Sequence, residues 1–522
     1  MSAADATTAN PRPAARAGTR EWIGLGVIAL PCAVYAMDLT VLNLALPALA
    51  AELRPSAAQM LWIIDIYGFF VAGFLITMGT LGDRIGRRRL LLIGAACFAA
   101  ASLLAAFARS AEMLIAMRAL LGVAGATVAP STMSLIRNMF HDDHERQFAI
   151  GVWIASYSAG AAIGPLVGGA LIEVFHWSSV FLIALPVMGL LLLVGPKLLP
   201  EYRDPDAGKL DLASALLSLA SVLALVYAIK RLAEHGLEWH ALAVGLSGLA
   251  LGVAFVRRQA RLPYPLLDLG LFASPAFTAA ISAYGLSSLA MMGIYIFIAQ
   301  FLQLVLGLTP LQAGLATLPW ALAFIAGSLL APRWARRFGR ERVLVGGLLV
   351  SAAGSALFVA SSGPWALHVL VLAAVVMSLG MAPVITIGNE MMITTAPPER
   401  AGAASALAET VAEAAGALGI AVFGSLGTLV YATLLTPRLP GGLSAEAGGT
   451  ALATLGGAVA TAGRLGGPDG AALLGAARDA FTFALQAGAV CATAAMLLAC
   501  WVTVRRLGPR PAAAAPAAPA SD

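Results

Sequence analysis

Charge is what this chain has least of. Of its 522 residues only 11% are Asp, Glu, Lys or Arg, while 60% are hydrophobic; a soluble domain carries about 25% charged residues. No soluble fold has interior enough for so much apolar surface, so a globular enzyme is excluded and a protein solvated by lipid is expected. Cysteine is sparse as well: Cys32, Cys97, Cys491 and Cys500 all lie in apolar runs. Two disulfides are formally possible, but thiols in such surroundings behave as small hydrophobes. The sequence has no phosphate-cradling P-loop and no polar stretch long enough to house an enzyme site, so neither ATP hydrolysis nor other enzymatic chemistry is expected. Glycine, by contrast, is plentiful at 54 residues, and it is commoner in membrane helices than in soluble ones.

A membrane crossing needs roughly 20 predominantly apolar residues. The chain offers fourteen such runs, starting near Trp22, Ala58, Leu90, Met113, Phe148, Trp177, Leu212, Trp239, Ala276, Leu311, Val343, Trp365, Gly402 and Asp479. The expected class is therefore an all-α polytopic membrane protein with both ends on one side. Placing those ends in the cytoplasm puts 24 of the 32 Lys and Arg residues on cytoplasmic segments and 7 on outer ones, Lys230 among the latter. Only Arg118 falls deep within a span. This asymmetry is the signature of a multi-pass protein of the cell membrane with cytoplasmic termini, and it explains the net charge of +5 without any nucleic-acid partner. The run His141-Asp142-Asp143-His144 reads as a solvated inner loop, and no metal site is expected. One outer loop, 436–477, is Gly- and Ala-rich; it reads as a mobile flap, a weakly amphipathic hairpin or a disordered connection.

Four motifs give these spans a direction. Between the second and third lies Gly79-Thr80-Leu81-Gly82-Asp83-Arg84-Ile85-Gly86-Arg87-Arg88-Arg89, a tight glycine turn with a carboxylate and a cluster of guanidinium groups. Such a cluster can form charge-assisted bonds that latch one helix bundle to another. The pattern resembles the signature loop of the major facilitator superfamily. Span four carries Arg118-Ala119-Leu120-Leu121-Gly122, similar to a second element of that superfamily with Leu121 where Gln is usual. Span five carries Gly160-Ala161-Ala162-Ile163-Gly164-Pro165-Leu166-Val167-Gly168-Gly169, similar to the motif that marks its exporters; small residues at this spacing let helices approach closely and Pro165 bends the helix. Asp38-Leu39-Thr40-Val41-Leu42-Asn43-Leu44-Ala45-Leu46-Pro47 resembles an element of the fourteen-helix drug:proton antiporters, the branch of the quaternary-ammonium and disinfectant pumps. The likeness runs over roughly residues 22–430 and departs at Trp177–Phe181. Arg333 to Arg342, with Gly339-Arg340, is a degraded second copy of the signature loop. The resemblance thus implies a cytoplasmic tail over 1–21, a six-helix bundle over 22–198, two inserted helices over 211–257, a second six-helix bundle over 276–504 and a disordered cytoplasmic tail over 505–522.

A charge at bilayer depth costs about 2.5–3.5 kcal/mol on insertion scales, so each one calls for a reason. The acidic residues concerned are Asp38, Asp65, Glu173, Glu409 and Glu413. Glu173 lies near an outer span end and reads as interfacial. Glu409 and Glu413, four apart, share one face of span thirteen, which the resemblance maps onto a cavity-lining helix. Two like charges so close in poor solvent cannot both ionise cheaply. The expected proton-coupling set is Asp38, Glu413, Glu409 and Arg118. Asp65, Trp62, Tyr67, Tyr284, Met291, Met292, Tyr295, Trp320 and Phe324 are the candidates for substrate contact, since rings hold cations and methionine repacks easily. Gly79, Asp83, Arg84, Gly86 and Arg87, with Gly160, Gly164, Pro165 and Gly168, form the conformational set.

The function implied is a proton-coupled multidrug exporter of lipophilic, often cationic compounds, working by alternating access with no cofactor beyond the proton gradient. A dedicated exporter of a self-made antibiotic or metabolite is the alternative within transport. A membrane sensor or scaffold that does not transport is the alternative from another class, but a scaffold has no use for carboxylates at depth.

Overall fold

The computed structural model describes residues 16–203, 211–262, 265, 269–395, 401–441 and 443–507; most of the tails expected at 1–21 and 505–522 lies outside the described residues. Regular structure among the described residues is helical throughout. Among the described residues fourteen stretches are long and apolar enough to cross a membrane. Their starts agree with the hydropathy reading to within a few residues, except that the last begins at Gly467 and not near Asp479.

The first half comprises α1 (Thr19–Leu53), α2 (Ala57–Ile85), α3 (Arg87–Ala106), α4 (Ala111–Gly125), α5 (Val128–Met139), α6 (Asp143–Val174), α7 (Ser179–Leu182) and α8 (Ala184–Leu198). Here α4 with α5, and α7 with α8, each make one crossing. A hairpin of α9 (Leu212–His235) and α10 (Trp239–Gln259) follows. The second half holds α11 (Pro275–Gln300), α12 (Pro310–Phe338), α13 (Arg340–Leu357), α14 (Ala366–Thr395), α15 (Ala401–Leu435), two short helices α16 (Ala445–Ala453) and α17 (Leu455–Leu465), and the long α18 (Gly467–Leu507).

The two halves repeat one plan, and local chemistry shows it. Helix α2 opens on a capping box of Ser56 and Gln59 and α12 on one of Thr309 and Gln312; both run 29 residues. Each box satisfies two backbone groups that a helix start would otherwise leave bare. Each helix then stops at a glycine with positive φ, +109° at Gly86 and +89° at Gly339, angles that side-chain-bearing residues adopt only with strain.

Close packing within the first half comes from α1 against α6. A Cβ on Gly160 would stand 2.1 Å from the Ala33 carbonyl oxygen, one on Gly164 2.4 Å from Thr40 Oγ1, and one on Gly168 2.4 Å from Val41. In a membrane such approach is the main source of helix affinity, because lipid is as apolar as the side chains. The halves meet where α2 crosses α15 and α6 crosses α12. Gly68 lies against Ala417, Gly424 against Leu61, Gly169 against the Pro310 carbonyl, and Gly314 against that of Pro165. Glu173 accepts a hydrogen bond from Leu311 N at 3.2 Å. Most of these contacts lie in the half of the molecule remote from the chain ends.

The loop at 436–477 is structured over its described part. Helices α16 and α17 lie over the remote end of α15, with Tyr431 Oη donating to the Ala451 carbonyl at 2.9 Å, and Gly456 sits against Ala50 and Pro47 of α1. The early turns of α18 complete the cap, so the flap and disordered-connection readings do not describe it. Tertiary contact holds it in place, with α17 turning a buried face of Leu455, Ala458 and Ala462 inward, which agrees with the amphipathic-hairpin reading.

The inserted pair is joined to the rest by α9, which packs on both α2 and α15, whereas α10 lies along α9. Its start is fixed by Asp211, which caps α9 through Ser214 N at 3.1 Å and takes a hydrogen bond from Arg258 of α10 at 2.9 Å. Burial raises the Asp211 carboxyl, but the Ser214 and Arg258 bonds outweigh it and hold it below the usual carboxylate range. Its contribution to stability is therefore present above the unfolded value of about 3.9 and is lost as pH falls through the lower folded one. Asp211→Ala should cost about 1 kcal/mol, read as a lowered melting temperature at neutral pH and little difference from wild type in strong acid.

Candidate functional site

Between the two halves lies a cavity of about 360 Å³. The first half supplies Leu39, Ile64, Asp65, Gly68, Arg118, Trp153 and Tyr157; the second supplies Tyr284, Met291, Met292, Phe324, Asn389, Glu409 and Glu413, among others. The wall reaches Thr386 and Asn389 in the last third of α14, so the space extends from the remote contacts towards the face that carries the chain ends. Met291, Met292, Phe324, Tyr157 and Leu39 also border a second lobe of about 190 Å³, whose far side is Tyr295, Trp320 and Ala161. The rings of Tyr295 and Trp320 stack with centroids 5.1 Å apart and planes 7° from parallel.

Three of the expected acids, Asp65, Glu409 and Glu413, line the larger lobe, and a fourth, Asp38, lies behind its wall on Arg118, the four being in two chemical states. Asp38, on α1, is paired: Arg118 Nη1 lies 2.5 Å from its Oδ2, while Arg118 Nε donates to the Ile63 carbonyl at 3.1 Å. The guanidinium also sits 4.6 Å from the centroid of the Tyr67 ring. Glu413, on α15, has no such cation. It accepts a hydrogen bond from Tyr35 Oη at 2.9 Å, and Tyr157, whose ring centroid is 5.9 Å from that of Tyr35, lines the same wall. Glu409 lies one turn nearer the face of the chain ends. Among the described residues neither glutamate is within ion-pair distance of a Lys or Arg.

Asp65 corrects the sequence reading. Lys230, counted there among outer-loop cations, is buried in α9 and pairs with Asp65: Nζ donates to Oδ1 at 2.9 Å and stands 2.8 Å from Oδ2. Arg118 is therefore not the only cation at depth. The hydropathy run ends just before Lys230, but the helix continues to His235, and extending the span by one turn would have exposed the anomaly. Two aromatic assignments change with it. Trp62 faces α9, its ring centroid 3.7 Å from the Lys230 ammonium, and borders a separate side cavity with Ser56, Gln59 and Tyr227. Tyr67 is fully buried beneath Arg118 and is no part of the cavity wall. Both take their positions from the turn of α2: Ile64 and Gly68 face the cavity, which leaves Trp62 and Phe69 to α9. Sequence reasoning also passed over Tyr35, Tyr157 and Asn389, polar groups at depth whose only signal was their place in otherwise apolar runs.

The signature loop binds inward. Arg87 Nε donates to Asp83 Oδ1 at 2.8 Å and Nη1 to the Pro130 carbonyl at 3.3 Å, while Arg88 reaches the carbonyls of Pro196 and Leu199. Gly79 lies against Pro130 and Arg84 is exposed at the end of α2. The bonds of Arg87 and Arg88 thus tie α2, α3, α5 and α8 together within the first half and do not latch it to the second.

Residues 29–420 match the model of the Major Facilitator Superfamily. The chain is 44% identical over 484 residues, 93% of its length and 96% of the relative's, to the multidrug efflux pump LfrA of Mycolicibacterium smegmatis. It is 36% identical over 466 residues, 88% and 93% of the two lengths, to the methyl viologen resistance protein SmvA of Salmonella typhimurium. Among solved structures, an inward-facing bacterial homologue of the human lysosomal transporter Spinster superposes at a TM-score of 0.62 over 94% of this chain and 98% of that one; at 18% identity this likeness is one of fold. With the same capped hairpin in each half, a cavity between the halves and a family match over most of its length, the chain belongs to the major facilitator superfamily.

Proposed function

We propose that the chain is a multidrug efflux antiporter of the cell membrane, exchanging protons for lipophilic cations by alternating access, with both termini in the cytoplasm. One observation carries this reading: Glu409 and Glu413 stand without a cationic partner among the described residues, on the wall of a cavity shared by both halves and beside methionine and aromatic side chains. A carboxylate that the protein leaves unneutralised at depth attracts either a proton or a cationic guest, and exclusive occupancy by one or the other is the essence of exchange. The adjoining aromatic lobe suits flat, apolar cations, and methionine lets the walls refit to different guests. The name of one relative, a methyl viologen resistance protein, fits a cationic cargo, methyl viologen being a dication. Each proton moving through 100 mV supplies about 2.3 kcal/mol, enough at one per cycle for a useful gradient of cargo. Energy comes from that gradient, and no cofactor or enzymatic step is required.

The test is uptake of ethidium by inside-out vesicles carrying the protein, with and without an uncoupler. Uptake should collapse with the uncoupler. Glu413→Gln should weaken ethidium binding about 10- to 100-fold, the loss of one charge-assisted contact. Uptake that survives uncoupling would overturn the proton coupling, and unchanged binding in Glu413→Gln would remove the glutamate from the cargo site.

A further inference from the structure

Both carboxylates that the first half holds at depth near the cavity are already neutralised, Asp38 by Arg118 and Asp65 by Lys230, and of the two it is Asp65 that lines the wall. The second pair is unusual in origin. Asp65 belongs to α2 of the first bundle, but its partner comes from α9, one of the two helices that belong to neither bundle. Lys230 is 2% exposed and Asp65 1%. Burying two such ions costs several kcal/mol each before their attraction is counted, and a membrane protein could join α9 to α2 more cheaply with the apolar contacts it already has, Phe69 and Val226 with Ala417 and Ala421. The ammonium is held on two sides, by the carboxylate and by the face of Trp62. Its position matters because Asp65 forms part of the cavity wall, while Lys230 borders the side cavity of about 300 Å³ behind it.

We propose that Lys230 is a built-in counter-cation that screens Asp65 from the cavity and thereby sets which cargo charge the transporter prefers. This inference rests on the reading of the cavity as a cation site. With Lys230 in place, the carboxyls left for cargo are those of the two α15 glutamates; without it, Asp65 is a further carboxyl that an entering cation can hold ionised, a dication more firmly than a monocation, so guests of higher charge are favoured. A pair that merely ties α9 to α2 would act on all guests alike, whatever their charge.

The experiment measures binding of three probes to the full chain in nanodiscs: ethidium (one positive charge), methyl viologen (two) and Nile red (neutral). Lys230→Gln should tighten methyl viologen relative to ethidium by about tenfold, the difference one added charge makes across roughly 10 Å at an effective dielectric constant near 20. Lys230→Arg should leave that ratio as in wild type. Asp65→Asn, which bares the ammonium, should weaken both cations, methyl viologen more, and spare Nile red. If Lys230→Gln does not fold, Asp65→Asn and the double variant D65N/K230Q isolate the same ammonium, and the double variant should favour methyl viologen over ethidium by about tenfold compared with Asp65→Asn. A ratio that does not move, or losses equal for all three probes, would overturn the proposal. Failure of wild type to bind either cation would instead overturn the reading of the cavity.

Discussion

Asp38→Asn should abolish proton-driven efflux and also reduce the amount of folded protein. The two effects have separate causes and can be separated. Asp38 neutralises Arg118, whose guanidinium is almost wholly buried, and stripping one partner from a buried pair costs about 3–5 kcal/mol because the other charge is left stranded. The double variant D38N/R118Q removes that stranded charge, so it should recover most of the protein but none of the coupling. Ethidium uptake by inside-out vesicles, normalised to the amount of protein, reads both. Asp38→Asn with full transport per molecule would show that this carboxylate has no part in the exchange.

The second large effect concerns two glycines nine residues apart on α6. Gly160→Val and Gly169→Val both put a side chain where a backbone carbonyl already stands, 2.1 Å from Ala33 O and 2.5 Å from Pro310 O respectively. The first collision is inside one bundle and has nowhere to go. Overpacking of this kind costs about 1–3 kcal/mol or more, so Gly160→Val should fail to accumulate or melt far below wild type. The second collision is between bundles, which can relieve it by staying apart. Gly169→Val should therefore fold and still not transport. In a background without the native cysteines, Leu311→Cys, which lies against Gly169 where α6 meets α12, should react faster with a membrane-impermeant thiol reagent when Gly169→Val is present. Equal labelling would mean that the α6–α12 contact does not hold the halves together on that side.

How much of this was legible in the sequence follows from how local each cause is. The crossings were legible because hydropathy is a property of one segment at a time, and the repeat of α2 and α12 could be glimpsed in the second Arg-rich loop. The acids at depth stood out because an ionisable residue in hydrocarbon is expensive wherever it occurs. Their pairing was not legible. Lys230 and Asp65 are 165 residues apart, and nothing along the chain says that an inserted helix leans on α2. The rotation of α2 was equally hidden: Trp62 and Ile64 are near neighbours in sequence, yet one faces α9 and the other the cavity. The cap at α16 and α17 stayed open among three readings for the opposite reason, since Gly- and Ala-rich helices bury little each and take their order from what they rest on.

One arrangement limits how the molecule can move. Because α9 packs on α2 and α15 at once, that side of the molecule should serve as the spine of a book, with the covers expected to part farthest along the fore-edge, where α6 meets α12. The lobe walled by Tyr295 and Trp320 borders that edge, with Ala161 on α6 and Phe324 on α12. On the proposed reading, a flat guest lodged there would be the first part of a cargo to lose its enclosure as the pages open, and the carboxylates would let go last.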